Sequence, residues 1–196
     1  MNRTATLTRK TSETAIELLL DLDGSGRTEI ATGIGFFDHM LTALGRHAMF
    51  DLDISAEGDL HIDAHHTVED VGIVLGQAIR EAIGDKRGIT RFGHAVIPMD
   101  EALCEAAIDL SGRGYLGFEV PFERPMLGDM DTQLVQEFFQ SLAANGQFAL
   151  HIRLRAGHNA HHVAEAAFKS VARALRMAVA PDPRAAGAIP STKGVL

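Results

Sequence analysis

Read for the spacing of its apolar and polar positions, the chain divides into short alternating runs and longer segments of helical period. Thr6, Thr8 and Lys10 alternate with Leu7 and Arg9, and Ala15 to Leu22 is strand-length with an apolar bias, so Thr4 to Asp23 predicts two strands. Asp23-Gly24-Ser25-Gly26 supplies turn chemistry, because glycine tolerates positive φ. From Thr32 to His47, Phe36, Met40, Ala43 and Leu44 recur at helical spacing and predict an amphipathic helix. Phe50 to Ala56 sets Leu52 and Ile54 between Asp51, Asp53 and Ser55, the pattern of a half-buried strand. A helix then opens near His65 and runs to about Ile83, with Gly84 placed to cap it. Beyond it, Arg91 to Pro98, Asp100 to Leu110 and Tyr115 to Val120 predict strands, and Asp131 to Ala144 a helix. Gln147 to Arg155 predicts a further strand, and a last helix runs through Ala180 until Pro181-Asp182-Pro183 ends it.

The second series copies the first. Laying Ser12–Gly24 over Asp100–Gly112 puts Glu13 over Glu101, Glu17 over Glu105, Asp21 over Asp109, Leu22 over Leu110 and Gly24 over Gly112. His65, His66 and Glu69 fall over His161, His162 and Glu165, and Ala78 meets Ala174 further on. The expected fold is therefore α+β: two duplicated half-domains, each an antiparallel sheet with helices packed on one face, related by a pseudo-twofold. The halves span 1–90 and 91–180, and 181–196 forms a C-terminal tail or lid on one compact domain.

Composition narrows the function. With 46% hydrophobic residues in 196, there is material for a substantial core, and a formal charge of −8 argues against general nucleic-acid binding. An anionic small ligand then needs a local basic pocket. The single Cys104, set in Leu103-Cys104-Glu105-Ala106-Ala107, reads as a small core residue, excludes a disulfide within the chain and fits a reducing cytosol. Met1 to Thr6 holds no apolar leader and no apolar run is long enough to span a membrane, so the expected location is cytoplasmic, with no membrane partner. Ten histidines point instead to metal or proton chemistry.

That chemistry concentrates in His65-His66-Thr67-Val68-Glu69 and its copy His161-His162-Val163-Ala164-Glu165. On a helix the first histidine and the glutamate share a face, and the second histidine points about 100° away, so each segment offers ligands in two directions. Imidazole with carboxylate suits a divalent ion such as Mn, Fe or Zn. His39 stands 26 positions before the first pair and Glu137 24 before the second, each on the preceding helix. They are candidate equivalents completing the two sites.

At Gly35-Phe36-Phe37-Asp38-His39-Met40-Leu41 and Asp63-Ala64-His65-His66-Thr67-Val68-Glu69-Asp70 the chain closely resembles the imidazoleglycerol-phosphate dehydratase family. The likeness continues through Pro98-Met99-Asp100-Glu101-Ala102, Asp109-Leu110-Ser111-Gly112-Arg113, Asn159-Ala160-His161-His162, Phe168-Lys169 and Ser191-Thr192-Lys193-Gly194. It implies a carbon–oxygen lyase of histidine biosynthesis that dehydrates D-erythro-imidazole glycerol phosphate to imidazole acetol phosphate, in the monofunctional form. It implies two Mn2+ per active site, held by His39, His65, His66, Glu69, His161, His162 and Glu165. Glu137 takes a place that is often histidine in the family. Substrate contacts map onto Glu13, Arg91, Arg113, Lys169, Ser191 and Lys193. The family assembles as a homo-oligomeric 24-mer with sites shared between subunits.

The implied reaction explains the ligand count. The abstracted proton has no carbonyl beside it, so an imidazolate ring held between two metals, passing through a diazafulvene-like intermediate, lowers the barrier. Glu13 is the first candidate acid/base, and Glu69 and Glu165 are ligands able to shuttle a proton. Its repeat partner Glu101 reads as a relic or a local ion-pair residue. Asp38 and Asp70 either hold an imidazole N–H or serve as helix-start charges. His47, His61, His94, His151 and His158 read as structural. A binuclear metallohydrolase and a metal-storage assembly are the rival classes. The first is disfavoured by the separation of the clusters and the absence of His-Glu-x-x-His, the second by the basic residues.

Overall fold

The computed structural model describes residues 3–185 and 187–194, so parts of the ranges 1–90 and 181–196 lie outside the described residues. The first half runs β1 (Thr4–Lys10), β2 (Thr14–Asp21), β3 (Thr28–Ala31), α1 (Gly35–Ala48), β4 (Asp51–Gly58) and α2 (His65–Ile83). The second runs β5 (Phe92–Met99), β6 (Ala102–Asp109), β7 (Tyr115–Glu119), β8 (Met126–Leu127), β9 (Met130–Asp131), α3 (Gln133–Gly146), β10 (Ala149–Ala156) and α4 (Ala160–Val179). The sheets have the same order, β1-β2-β4-β3 and β5-β6-β10-β7, which is the duplication the sequence predicts. Two of three pairings in each sheet are antiparallel; the edge strands β3 and β7 run parallel to β4 and β10. A parallel neighbour requires a crossover, which α1 and α3 supply.

The copies stay in register across this crossover. Thr28 faces Leu52 in the first sheet and Leu116 faces Leu150 in the second. The two-residue strands β8 and β9 form a hairpin inserted between β7 and α3 with no counterpart in the first half.

Helices cover one face of each sheet, α2 on β1 and β2, α4 on β5 and β6. They then cross between halves: α1 packs on α4 and α3 on α2. The α2–α3 contact is backbone to backbone, since a Cβ on Gly76 would lie 2.6 Å from the Leu142 carbonyl oxygen and one on Gly72 2.9 Å from that of Phe138. Phe37, Phe138, Phe139 and Phe168 fill the centre, with Phe138 stacked on Phe168 at 5.2 Å. Burying each such ring stabilises the fold by about 1.5–3 kcal/mol. Cys104 lies fully buried, and burial pushes its thiol up to about 12, so it is a core residue.

Candidate metal centre and active site

The N-terminus of α4 is built by Asn159, whose side chain accepts from the backbone N–H groups of His161 (3.0 Å) and His162 (3.3 Å). This fixes the first turn, so His161 and Glu165, four apart, meet at 3.2 Å through Nε2 and Oε2. The Nε2 of His39, from α1, reaches the same oxygen at 3.3 Å. Phe36 lies edge-on to both imidazoles, 5.3 Å from His161 and 6.4 Å from His39. One ligand atom from each of His39, His161 and Glu165 lies within 4.8 Å of the others. Two nitrogens and a carboxylate oxygen make a donor set that fits a borderline divalent ion. Glu165 is buried, which opposes ionisation, but hydrogen bonds from Lys169 (2.6 Å) and His39 prevail and hold its carboxyl at about 2.

The helix crossing decides which pair His39 joins. Although it precedes the first His-His pair in sequence, it meets the second, because α1 packs on α4. Glu137 does occupy the matching place, fifth residue of α3 as His39 is of α1, and it is half-buried. Among the described residues, however, His65, Glu69 and Glu137 form no converged group. His65 is exposed and opens with Asp63, Asp129 and Asp131 onto a cavity of about 580 Å³. A smaller one of about 470 Å³ adjoins His161 on the other side of the β8–β9 hairpin.

The second converged group is Glu13, Asp59 and His66. Asp59, in the loop after β4, accepts from Nδ1 of His66 at 3.0 Å, and Glu13, in the β1–β2 turn, stands 3.8 Å from that nitrogen. In the other half Nδ1 of His162 meets Glu101 at 2.7 Å, and Glu101 also accepts the Asn159 N–H at 3.0 Å. The Asp59 contact raises the pKa of His66, and the Glu101 contact raises that of His162. Glu101, bonded by His162 and Asn159, is held at about 2. Sequence reasoning missed Asp59 and read Glu101 as local; the turn that aims a carboxylate at a ring has no residue pattern of its own. Asp38 and Asp70 hold no imidazole. Asp38 accepts from the Thr32 N–H at 2.9 Å, and Asp70 is bound by Arg9 (2.9 Å) and Thr14.

The cationic candidates are distributed. Lys169 is committed to Glu165, and Arg91 is paired with Asp109 (2.7 Å) while donating to the Pro190 carbonyl at 2.7 Å. Arg113 is exposed in the β6–β7 turn, and Lys193, also exposed, donates its N–H to Ser191. The tail follows 88–91 closely, with the Gly88 N–H on Ala188 and the Asp182 N–H on Gly88. No described helix is long and apolar enough to cross a membrane.

Comparison with known proteins supports the same reading. A family model described as imidazoleglycerol-phosphate dehydratase matches residues 32–175. Proteins of that name from Acidiphilium cryptum and Granulibacter bethesdensis are 85% and 66% identical, each over the whole of both chains. The solved imidazoleglycerol-phosphate dehydratase from Staphylococcus aureus is 39% identical, with a TM-score of 0.83 over 91% of this chain and 99% of that one. The structure from Pyrococcus furiosus is 38% identical, with a TM-score of 0.84 over 97% and 100%.

Proposed function

The chain belongs to the imidazoleglycerol-phosphate dehydratase family and is a dehydratase, a lyase of histidine biosynthesis; from this we propose that it turns D-erythro-imidazole glycerol phosphate into imidazole acetol phosphate with two Mn2+ per active site. The observation that carries the metal assignment is the convergence of His39, His161 and Glu165 on one point. The remaining proposed ligands, His65, His66, Glu69, Glu137 and His162, lie apart from that group in one chain. Their sites are completed by neighbouring subunits of a homo-oligomer, a 24-mer, in the cytoplasm. When bound, the two ions supply the Lewis acidity that an imidazolate and diazafulvene route requires.

The chain's own residues do the rest. Glu13 moves the proton: its side chain is 50% exposed, so the carboxyl is free to reach a substrate carbon. Glu69 and Glu165 serve as ligands and are placed to pass a proton at the metal edge. Arg91, Arg113, Lys169, Ser191 and Lys193 receive the phosphate, and the tail from 181 closes over it. Arg91 ties that tail to the body through Pro190, so phosphate capture and tail position are coupled at one guanidinium.

Incubating Mn2+-loaded protein with imidazole glycerol phosphate at neutral pH should give imidazole acetol phosphate; no product under these conditions rejects the reading. Glu137→Ala should lower manganese stoichiometry or affinity, and an unchanged isotherm removes Glu137 from the ligand set.

A further inference from the structure

The two halves solve one problem differently. His66 and His162 are repeat equivalents, and each gives Nδ1 to a carboxylate, leaving Nε2 as the nitrogen available to a metal. Equivalent histidines should be held by equivalent carboxylates, and they are not. His162 is held by Glu101 at 2.7 Å, whereas Glu13, the repeat partner of Glu101, stands off His66 at 3.8 Å and Asp59 makes the bond instead.

The second half has no carboxylate at that place. The bulge between Leu154 and Ala156 sets Ala156 on Leu103 as Glu57 sits on Ala15, so Gly157 takes the place of Gly58 and His158 that of Asp59. The task there falls to the turn glutamate, which a second donor, the Asn159 N–H at 3.0 Å, locks in place. In the first half Asp59 has a side chain only 12% exposed, and its own N–H donates to the Glu13 carbonyl at 3.1 Å. Asp59 thus fixes the ring of His66 and the backbone of Glu13 together, while the Glu13 carboxyl stays unclaimed.

We infer that Asp59 and Glu101 are positioning residues, each orienting one ligand histidine, and that Asp59 releases Glu13 from the task its repeat partner still performs. The inference rests on the proposed function for what Glu13 then does, but its positioning part is independent of turnover.

The test measures Mn2+ binding by equilibrium dialysis and electron paramagnetic resonance on the metal-stripped full chain, alongside thermal melting and turnover. Asp59→Asn and Glu101→Gln should each weaken binding about 10- to 100-fold, with metal-free melting unchanged and with binding partly rescued by Asp59→Glu and Glu101→Asp. Glu13→Gln should bind Mn2+ as wild type does and lose turnover. Asp59→Ala, which removes the carboxylate that His158 does not supply in the second half, should let Glu13 swing onto His66; adding Glu13→Gln to it then costs metal affinity that Glu13→Gln alone does not. An unchanged isotherm in Asp59→Asn overturns the inference, as does equal metal loss in Glu13→Gln and Asp59→Asn. Should Asp59→Asn fail to fold, the Glu13→Gln and Glu101→Gln isotherms decide it. Wild-type protein that binds Mn2+ but forms no product rejects the proposed function and leaves these binding outcomes to stand or fall by themselves.

Discussion

The α1–α4 and α2–α3 crossings start from the same motif and arrive at different sites. On α4, His161 and Glu165 meet His39 of α1 around one carboxylate oxygen; on α2, His65 and Glu69 form no such group with Glu137 of α3. The packing beneath them differs as well. The α2–α3 pair closes on Gly72 and Gly76, while the repeat positions on α4 hold Phe168 and Ala172. A repeated ligand motif is therefore not a repeated site. The crossing helix decides which side chains converge within one chain and which are left facing outward.

The strongest way to break that contrast is at the carboxylates. In dilute protein, Glu165→Gln should lower the affinity of the first Mn2+ by more than about 100-fold, beyond the loss usual for a residue that only orients a ligand. Glu69→Gln should leave that first isotherm in place; equal losses would show the two crossings to be alike. The packing contrast carries the next largest effect. Gly76→Ala ought to destabilise by about 1–3 kcal/mol despite alanine's better helix propensity, because its Cβ meets the Leu142 carbonyl. The mirror change Ala172→Gly should cost about 1 kcal/mol, the ordinary price of a helical glycine, and urea titrations of both variants compare them directly.

The last effect is in pH. Glu165 sits at about 2 when folded against 4.5 ordinarily, so its contribution is complete above 4.5 and is lost as acid carries the protein down through 2. Metal-free wild type should lose about 1.5 kcal/mol more than Glu165→Gln across that window, measured by denaturant titration at stepped pH. Parallel curves for the two proteins would assign the depressed value no role in stability.

Much of this was legible before any coordinates. The strong helical periods and the capping Gly84 placed α2 at His65–Ile83, and the doubled His-His-x-x-Glu named the candidate metal residues. What escaped were features set by distant partners. Strand β3, Thr28–Ala31, is four residues on a sheet edge, defined by pairing with β4 rather than by alternation of its own. The β8–β9 hairpin has strands of two residues, too short for any period. The partnership of His39 with Glu165 spans 126 positions and depends on how two helices cross, which local patterns do not encode. Asp59 shares that fate: its importance comes from the loop that turns it toward His66, not from its neighbours in sequence.

The segment after α4 has a further consequence. It is hydrogen-bonded to 88–91, the joint where one half hands over to the other, through Gly88, Ala188, Asp182 and the Ile89–Pro181 bridge. Such a clasp joins segments that lie far apart along the chain, one at the joint between the copies and one beyond the second copy. Protection of this segment from a protease should therefore report that two similar halves have become one molecule.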